Sequence, residues 1–166
     1  MRSMCSTASR PRAHGRRLAL AAGVLLAGCS SFDRDWEALG PYPGEHRDIT
    51  GRWSGSWSCD ETGHSGELRC LVSRLESDLC AMRYRARWGG IFTSEYTVLA
   101  TVEPDEGGGG YRFGGSKDLG WLAGGLCRYD GRATATEFEA TYTSSSNEGV
   151  FRMARPAEES PSAEDP

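Results

Sequence analysis

Apolar and polar side chains alternate along most of the chain between residues 49 and 155. The clearest run extends from Cys80 to Trp88 and alternates apolar residues with Arg83, Arg85 and Arg87. A period of two is typical of a β-strand with one buried face. The pattern predicts about eight strands in succession over residues 49–155, joined by short turns rich in Gly, Ser and Asp.

An all-β fold follows from this succession of strands. Eight antiparallel strands close naturally into an up-and-down barrel whose interior is just filled by side chains. We prefer the barrel because every connection is short enough for a hairpin, and closure removes exposed strand edges. Two packed sheets are the alternative.

The predicted inner face of the sheet is rich in aromatic rings. These rings are expected either to fill the barrel as a core or to line a cup for an apolar ligand. The sequence favours the filled core, because so many rings leave little space in a barrel of this size. The residues concerned are Trp53, Trp57, Tyr84, Trp88, Phe92, Tyr96, Tyr111, Phe113, Trp121, Phe138, Tyr142 and Phe151.

The turns are less clearly marked than the strands. A turn at Thr93–Glu95 keeps the apolar rows on both sides of it on one face, and it places Arg85 opposite Glu103. Gly89-Gly90 then becomes a kink or bulge within the third strand. The sixth strand is predicted to begin at Leu119 and to end near Cys127, before a tight turn at Tyr129-Asp130-Gly131-Arg132.

Four cysteines follow residue 49, and an even number in an exported protein suggests two disulfides. The predicted strand order favours the pairs Cys59–Cys70 and Cys80–Cys127, and the other pairings remain open. No pair has the C-x-x-C spacing of a zinc site, so we expect no metal and no cofactor.

The N-terminal segment has the composition of an export signal. Arg16-Arg17 precede a short apolar run, which ends in Leu26-Ala27-Gly28-Cys29. This motif closely resembles the cleavage site of bacterial lipoprotein precursors. The resemblance implies that residues 1–28 are a signal peptide, that Cys29 carries lipid and that residues 29–48 form a tether. Ser30 resembles the residue found in lipoproteins sent to the outer membrane. A short transmembrane anchor and a twin-arginine signal are the alternatives.

Charge limits the partners of the exported chain. Removal of residues 1–28 takes away arginines but no acidic residue, so the net charge falls from −4 to about −9. This argues against nucleic acid and anionic lipid as partners. Residues 156–166 are acidic, lack aliphatic bulk and are predicted to be disordered.

A second resemblance concerns the first strand. Gly51-Arg52-Trp53 is similar to the G-x-W motif of lipocalins, in which the Trp closes the barrel floor beneath an Arg from the last strand. The resemblance implies that Arg152 or Arg155 takes that position. The predicted barrel is shorter than a lipocalin, and ligand binding follows from the resemblance only as an analogy of fold.

The sequence contains no recognisable set of catalytic residues. His64 lies in a turn without a paired nucleophile, and Glu137 and Glu139 are expected to face solvent. Arg83 to Arg87 form a basic stripe that either grips an anionic partner or pairs with neighbouring acids. The favoured function is a non-enzymatic, lipid-anchored structural or interaction module of the cell envelope. The alternatives are a binding protein for a small lipophilic ligand and a hydrolase with an unrecognised site.

Overall fold

The structure is a computed structural model that describes residues 31–39, 48–107, 109–120 and 125–156. The predicted signal peptide, Cys29, Trp121 and the tail from residue 157 lie outside the described residues. These residues form one helix and eight strands: α1 Ser31–Ala38, β1 Gly51–Cys59, β2 Ser65–Arg74, β3 Leu79–Trp88, β4 Phe92–Asp105, β5 Gly110–Asp118, β6 Leu126–Ala133, β7 Glu137–Thr143 and β8 Glu148–Ala154.

The eight strands form a closed up-and-down barrel, as predicted. Each strand pairs antiparallel with the next in sequence, and β1 also pairs with β8. We call the end where β1 begins and β8 ends the closed end, and the end where β1 finishes and β8 begins the open end. Apolar residues that alternate along every strand meet in one core inside the barrel.

The closed end is sealed by Trp53 and Arg155, the arrangement that the lipocalin resemblance implies. The Arg155 guanidinium carbon lies 3.7 Å from the centre of the Trp53 ring. The Trp53 indole nitrogen donates to the Ile49 carbonyl oxygen at 2.9 Å, which fixes the edge of the ring. Arg152, the other candidate, points outward and pairs with Glu139.

The β3–β4 hairpin turns earlier than predicted. Trp88 pairs with Phe92 across a three-residue loop, and Tyr84 pairs with Tyr96. A loop with an odd number of residues keeps the apolar rows of both strands on the inner face. The turn predicted at residues 93–95 also has three residues, so the predicted inner face is correct although the turn is misplaced. The predicted pairing of Arg85 with Glu103 is wrong, since Arg85 lies opposite Glu95.

The prediction for β6 is also wrong. β5 continues to Asp118, and β6 begins at Leu126 and not at the predicted Leu119. The predicted turn at Tyr129–Arg132 lies in the middle of β6. Gly131 faces the core there, where a Cβ would collide with the Phe113 ring, so this glycine makes room for a neighbouring side chain.

The four described cysteines are buried and free, and both predicted disulfides are wrong. Cys70 pairs with Trp53, which is six residues from Cys59 along β1. Six residues of strand span about 20 Å, far beyond the 7 Å that a disulfide permits between Cα atoms. Cys80 lies near the start of β3 at the closed end, whereas the later start of β6 places Cys127 at the open end.

Part of the segment predicted as a tether forms helix α1, which packs on the outer face of the barrel. Phe32 is fully buried there. The Trp36 ring lies between the guanidinium groups of Arg52 and Arg69, each 5.2 Å from its centre. Burial of one large apolar side chain contributes about 1.5–3 kcal/mol, enough to fix a short helix against the sheet.

The basic stripe on β3 is the surface that receives α1. Arg83 contacts Asp35 at 2.9 Å, and Arg85 pairs with Asp33. Glu95 on β4 lies within ion-pair distance of both arginines. The stripe therefore pairs with acids of its own chain, which is the second of the two interpretations of the sequence.

Candidate functional site

A cavity of about 360 Å³ opens at the open end of the barrel. Aromatic and aliphatic side chains form its walls, and short polar side chains and two thiols surround its mouth. The lining residues are Trp57, Cys59, Thr62, His64, Ala86, Trp88, Ser94, Tyr96, Leu119, Cys127, Tyr129, Tyr142, Ser144, Asn147 and Phe151.

The barrel is filled in its closed half. Phe138 contacts Trp53 and Phe113, with ring centres 5.4 and 4.7 Å apart, and these rings occupy the space above the floor. Tyr84 lies above them, stacked on Tyr129 with ring centres 6.0 Å apart. This aromatic layer ends the filled core, and the cavity lies between it and solvent.

Small inward residues create the cavity. The alternation places Gly66, Ala86, Ser94 and Gly149 on the inner face near the open end, where the closed half has large rings. Two of these glycines give space to rings of the cavity wall. A Cβ on Gly149 would lie 2.6 Å from the Tyr142 hydroxyl oxygen, and a Cβ on Gly66 would lie 2.7 Å from the Trp57 indole nitrogen.

The tyrosines of the cavity are uncharged at neutral pH. Burial raises the pKa of Tyr96 and of Tyr129 above the ordinary value of 10. The neighbouring Tyr96 hydroxyl group and Cys127 thiol add to the rise in the pKa of Tyr129. Tyr142 donates to the Ser58 carbonyl oxygen at 3.2 Å, and burial raises its pKa as well.

The two thiols at the mouth differ in their surroundings. A hydrogen bond from Thr62 lowers the pKa of Cys59, whose sulfur lies 3.7 Å from the Asn147 side-chain oxygen. Burial instead raises the pKa of Cys127. Cys59 is therefore the thiol of the mouth that ionises more readily.

The cavity offers no fixed charge to a ligand. Among the described residues that line it there is no Asp, Glu, Lys or Arg, and His64 is the one basic side chain. An ion taken into this space would lose its hydration without gaining a counter-charge, which is costly. The lining fits an uncharged molecule with apolar bulk and one or two polar atoms that reach the hydroxyl groups.

The predicted ring residues divide between the two halves of the barrel. Trp57, Trp88 and Tyr96 line the cavity, whereas Tyr84 belongs to the filled core together with Trp53 and Phe138. The closed half is therefore a filled core, and the open half contains a cavity. Trp121 lies outside the described residues.

Sequence analysis missed several lining residues. Tyr129 was assigned to a turn, although the alternation of Cys127, Tyr129 and Ala133 with Arg128 and Arg132 is a strand signal. His64 is exposed, as expected for a turn residue, and it also lies at the cavity mouth. Thr62 and Asn147 also come from turns, where no periodicity marks a side chain that faces inward.

The other candidate chemistries find no support in the geometry. Glu139 lies on the outer face and binds Arg152 at 3.1 Å, and Glu137 is exposed beside it. Within the described ranges, no group of three or more potential metal ligands lies together. No helix among the described residues is both long and apolar enough to cross a membrane.

Comparison with models of protein families, with curated proteins and with solved structures gave no match to this chain.

Proposed function

We propose that the chain is a lipid-anchored protein of the cell envelope whose barrel binds a small, uncharged, mostly apolar molecule in the cavity at its open end. The observation that carries this proposal is the 360 Å³ cavity, whose described lining includes six Trp, Tyr and Phe rings and no Asp, Glu, Lys or Arg. Its volume is at the lower end of the range of small-molecule sites, which is about 300–1,000 Å³.

The anchor is the part of the proposal that comes from the sequence. It is supported by the lipoprotein-like motif at Leu26–Cys29 and by the basic and apolar segments before it. A lipid on Cys29 places the barrel at a membrane of the envelope. The favoured location is the outer membrane, with the barrel facing the periplasm. Two or three acyl chains suffice for stable attachment, whereas one chain holds weakly.

A structural or interaction module without a ligand is the second candidate. It is favoured by the closed half, where aromatic rings pack together and Arg155 covers Trp53. The sequence alone favoured this candidate. We now place it second because the rings fill one half of the barrel and not the other.

Binding of a fluorescent probe separates the two candidates. The chain without residues 1–28 and with Cys29→Ser needs no detergent, so an uncharged aromatic probe such as phenylnaphthylamine can be titrated into it directly. We expect saturable binding at one site per chain. Ala86→Leu adds bulk to the cavity wall and should weaken this binding by at least about ten-fold, equivalent to 1.4 kcal/mol.

The matched control is Ala154→Leu, which adds the same bulk to an exposed position of β8. It should leave the probe affinity unchanged. Probe uptake that does not saturate, or that responds equally to both variants, would refute the ligand-binding proposal and favour the structural module.

The anchor is tested separately by the mass of the mature chain. We expect cleavage before Cys29 and the added mass of acyl chains on that residue. Cys29→Ser, or inhibition of the lipoprotein signal peptidase by globomycin, should leave the precursor unprocessed. Normal maturation of the Cys29→Ser chain would refute the anchor while leaving the cavity proposal intact.

A further inference from the structure

The tip of the β3–β4 hairpin carries a cluster of exposed apolar side chains at the rim of the open end. Trp88, Ile91 and Phe92 are 38%, 80% and 56% exposed. They are adjacent in space because Trp88 and Phe92 pair across the loop and Ile91 lies within it. Large apolar side chains gathered at one exposed tip are typical of a surface that contacts a partner.

The tip is held in one conformation. Gly89 and Gly90 have positive φ angles of 57° and 77°, which allow the tight three-residue loop. The Trp88 and Phe92 rings stack with their centres 5.9 Å apart. The Arg87 guanidinium donates to the Gly90 carbonyl oxygen at 2.9 Å, so the hairpin presents its apolar residues without needing to order them on contact.

The position of α1 indicates what this tip meets. Arg83 on β3 donates to the Ser31 hydroxyl oxygen at 2.7 Å, which fixes the first residue of the helix on the same hairpin. Cys29 is two residues before Ser31, so the two Cα atoms are at most about 7 Å apart. A lipid on Cys29 would therefore enter its membrane close to Arg83. Arg83 lies five residues, or about 17 Å, from Trp88 along β3.

Charge favours this hairpin over the β1–β2 and β2–β3 turns. Arg83 and Arg85 are offset by acids of α1 and β4, so the base of the hairpin carries no strong field. The neighbouring β1–β2 turn at the open end instead exposes Asp60 and Glu61, and the β2–β3 turn at the closed end exposes Glu76 and Asp78. Acidic turns are expected to remain in water, whereas a tip that has Trp and Phe and no acidic residue suits the membrane interface.

From this geometry we infer that the β3–β4 tip inserts Trp88, Ile91 and Phe92 into the headgroup region of the membrane that holds Cys29. This inference rests on the proposed lipid anchor and adds the orientation of the barrel. Trp88 also lines the cavity and contacts Trp57 edge to face, with ring centres 6.4 Å apart. The tip thus brings the mouth of the cavity to the lipid surface, so that an apolar ligand passes between bilayer and barrel.

Depth-dependent quenching in vesicles tests the inference on the mature, acylated full chain. Ile91→Cys is labelled with a polarity-sensitive fluorophore, and the chain without an introduced cysteine gives the background labelling. The chains are reconstituted into phosphatidylcholine vesicles with nitroxide lipids. We expect a blue-shifted emission that the nitroxide quenches several-fold more than for the matched control Leu75→Cys, which is 55% exposed in the turn at the closed end.

A second measurement avoids the label. Brominated lipids should quench the tryptophan emission of the unmodified chain, and the combined substitution Ile91→Ser and Phe92→Ser should remove most of that quenching. Leu75→Ser should leave it unchanged. Water-like emission from residue 91 and equal quenching in all chains would overturn the inference.

The outcomes separate this inference from the proposals beneath it. An acylated chain that binds the probe but keeps its tip in water refutes the orientation alone. Blue-shifted emission that depends on protein concentration and not on lipid identifies a second copy of the chain as the partner, and it also overturns the inference. A chain whose mass shows no acyl groups refutes the anchor, and the orientation falls with it.

Discussion

Truncation of Arg155 provides a direct test of how the closed end is built. The Arg155 side chain covers the Trp53 ring at 3.7 Å and donates to two carbonyl oxygens at 2.7 Å, those of Asp48 and Thr50. It also donates to the Arg52 carbonyl oxygen at 3.3 Å. Arg155→Ala removes all of these contacts at once and exposes the edge of the floor to water.

The expected loss of stability can be worked out from these contacts. A cation over a Trp ring contributes about 0.5–2 kcal/mol. Hydrogen bonds from a charged donor contribute about 1.5–3 kcal/mol each, and water replaces part of that when the site is partly exposed. We therefore expect the free energy of unfolding to fall by about 3 kcal/mol. In a domain of this size each kcal/mol lowers Tm by about 4–8 °C, so Tm should fall by roughly 12–24 °C.

Urea unfolding followed by tryptophan fluorescence measures this loss, and Arg152→Ala is the matched control. Arg152 comes from the same strand, but it is exposed and pairs only with Glu139 at the surface, a contact that contributes about 0–1 kcal/mol. Probe affinity at the open end should be the same in both variants. Equal losses from the two substitutions, or a loss below about 1 kcal/mol for Arg155→Ala, would refute the plug described here.

Three further predictions concern pH and redox conditions. Burial raises the pKa of Tyr84 well above 10, so the stability that its neutral form contributes is present below pH 10 and lost at higher pH; Tyr84→Phe should make the loss of the urea midpoint above pH 10 shallower. Burial opposes ionisation of Asp48, but Arg74 lowers its pKa below 3.8, so its contribution is present above pH 3.8 and lost as pH falls through the folded pKa. Asp48→Asn should therefore flatten the acid limb of the midpoint plotted against pH. Reductant should leave Tm unchanged because the four described thiols are free, and a fall in Tm would show that disulfides form.

Alternation along the chain was sufficient to predict the barrel, because burial of one face determines which residues point inward. The β3–β4 hairpin shows why this worked even where the turn was misplaced. Trp88 and Tyr96 face the interior for any loop with an odd number of residues, so the inner face is fixed before the register is known. The cross-strand partner of Arg85 depends on the register itself, and that prediction failed.

The errors have physical causes that a local pattern does not contain. Asp130-Gly131 is a strong turn signal, but Gly131 is required in β6 by the ring of Phe113, which comes from a neighbouring strand. The pairing of the cysteines depended on strand ends that were misplaced by several residues. Helix α1 is too short to be stable alone in water, and it exists because Phe32 is buried against the barrel.

The asymmetry between the two ends is the feature on which the proposed function depends, and alternation does not reveal it. The number of inward rings predicts a filled barrel, yet filling depends on how ring size is distributed along the axis. Large residues such as Trp53 and Phe138 meet at one height, whereas Ala86 and Ser94 meet at another. Since both kinds of residue occupy inward positions of the same period, side-chain volume at matched heights is the quantity that separates a plug from a cup. These heights depend on the register of the strands, so alternation alone does not predict the cavity.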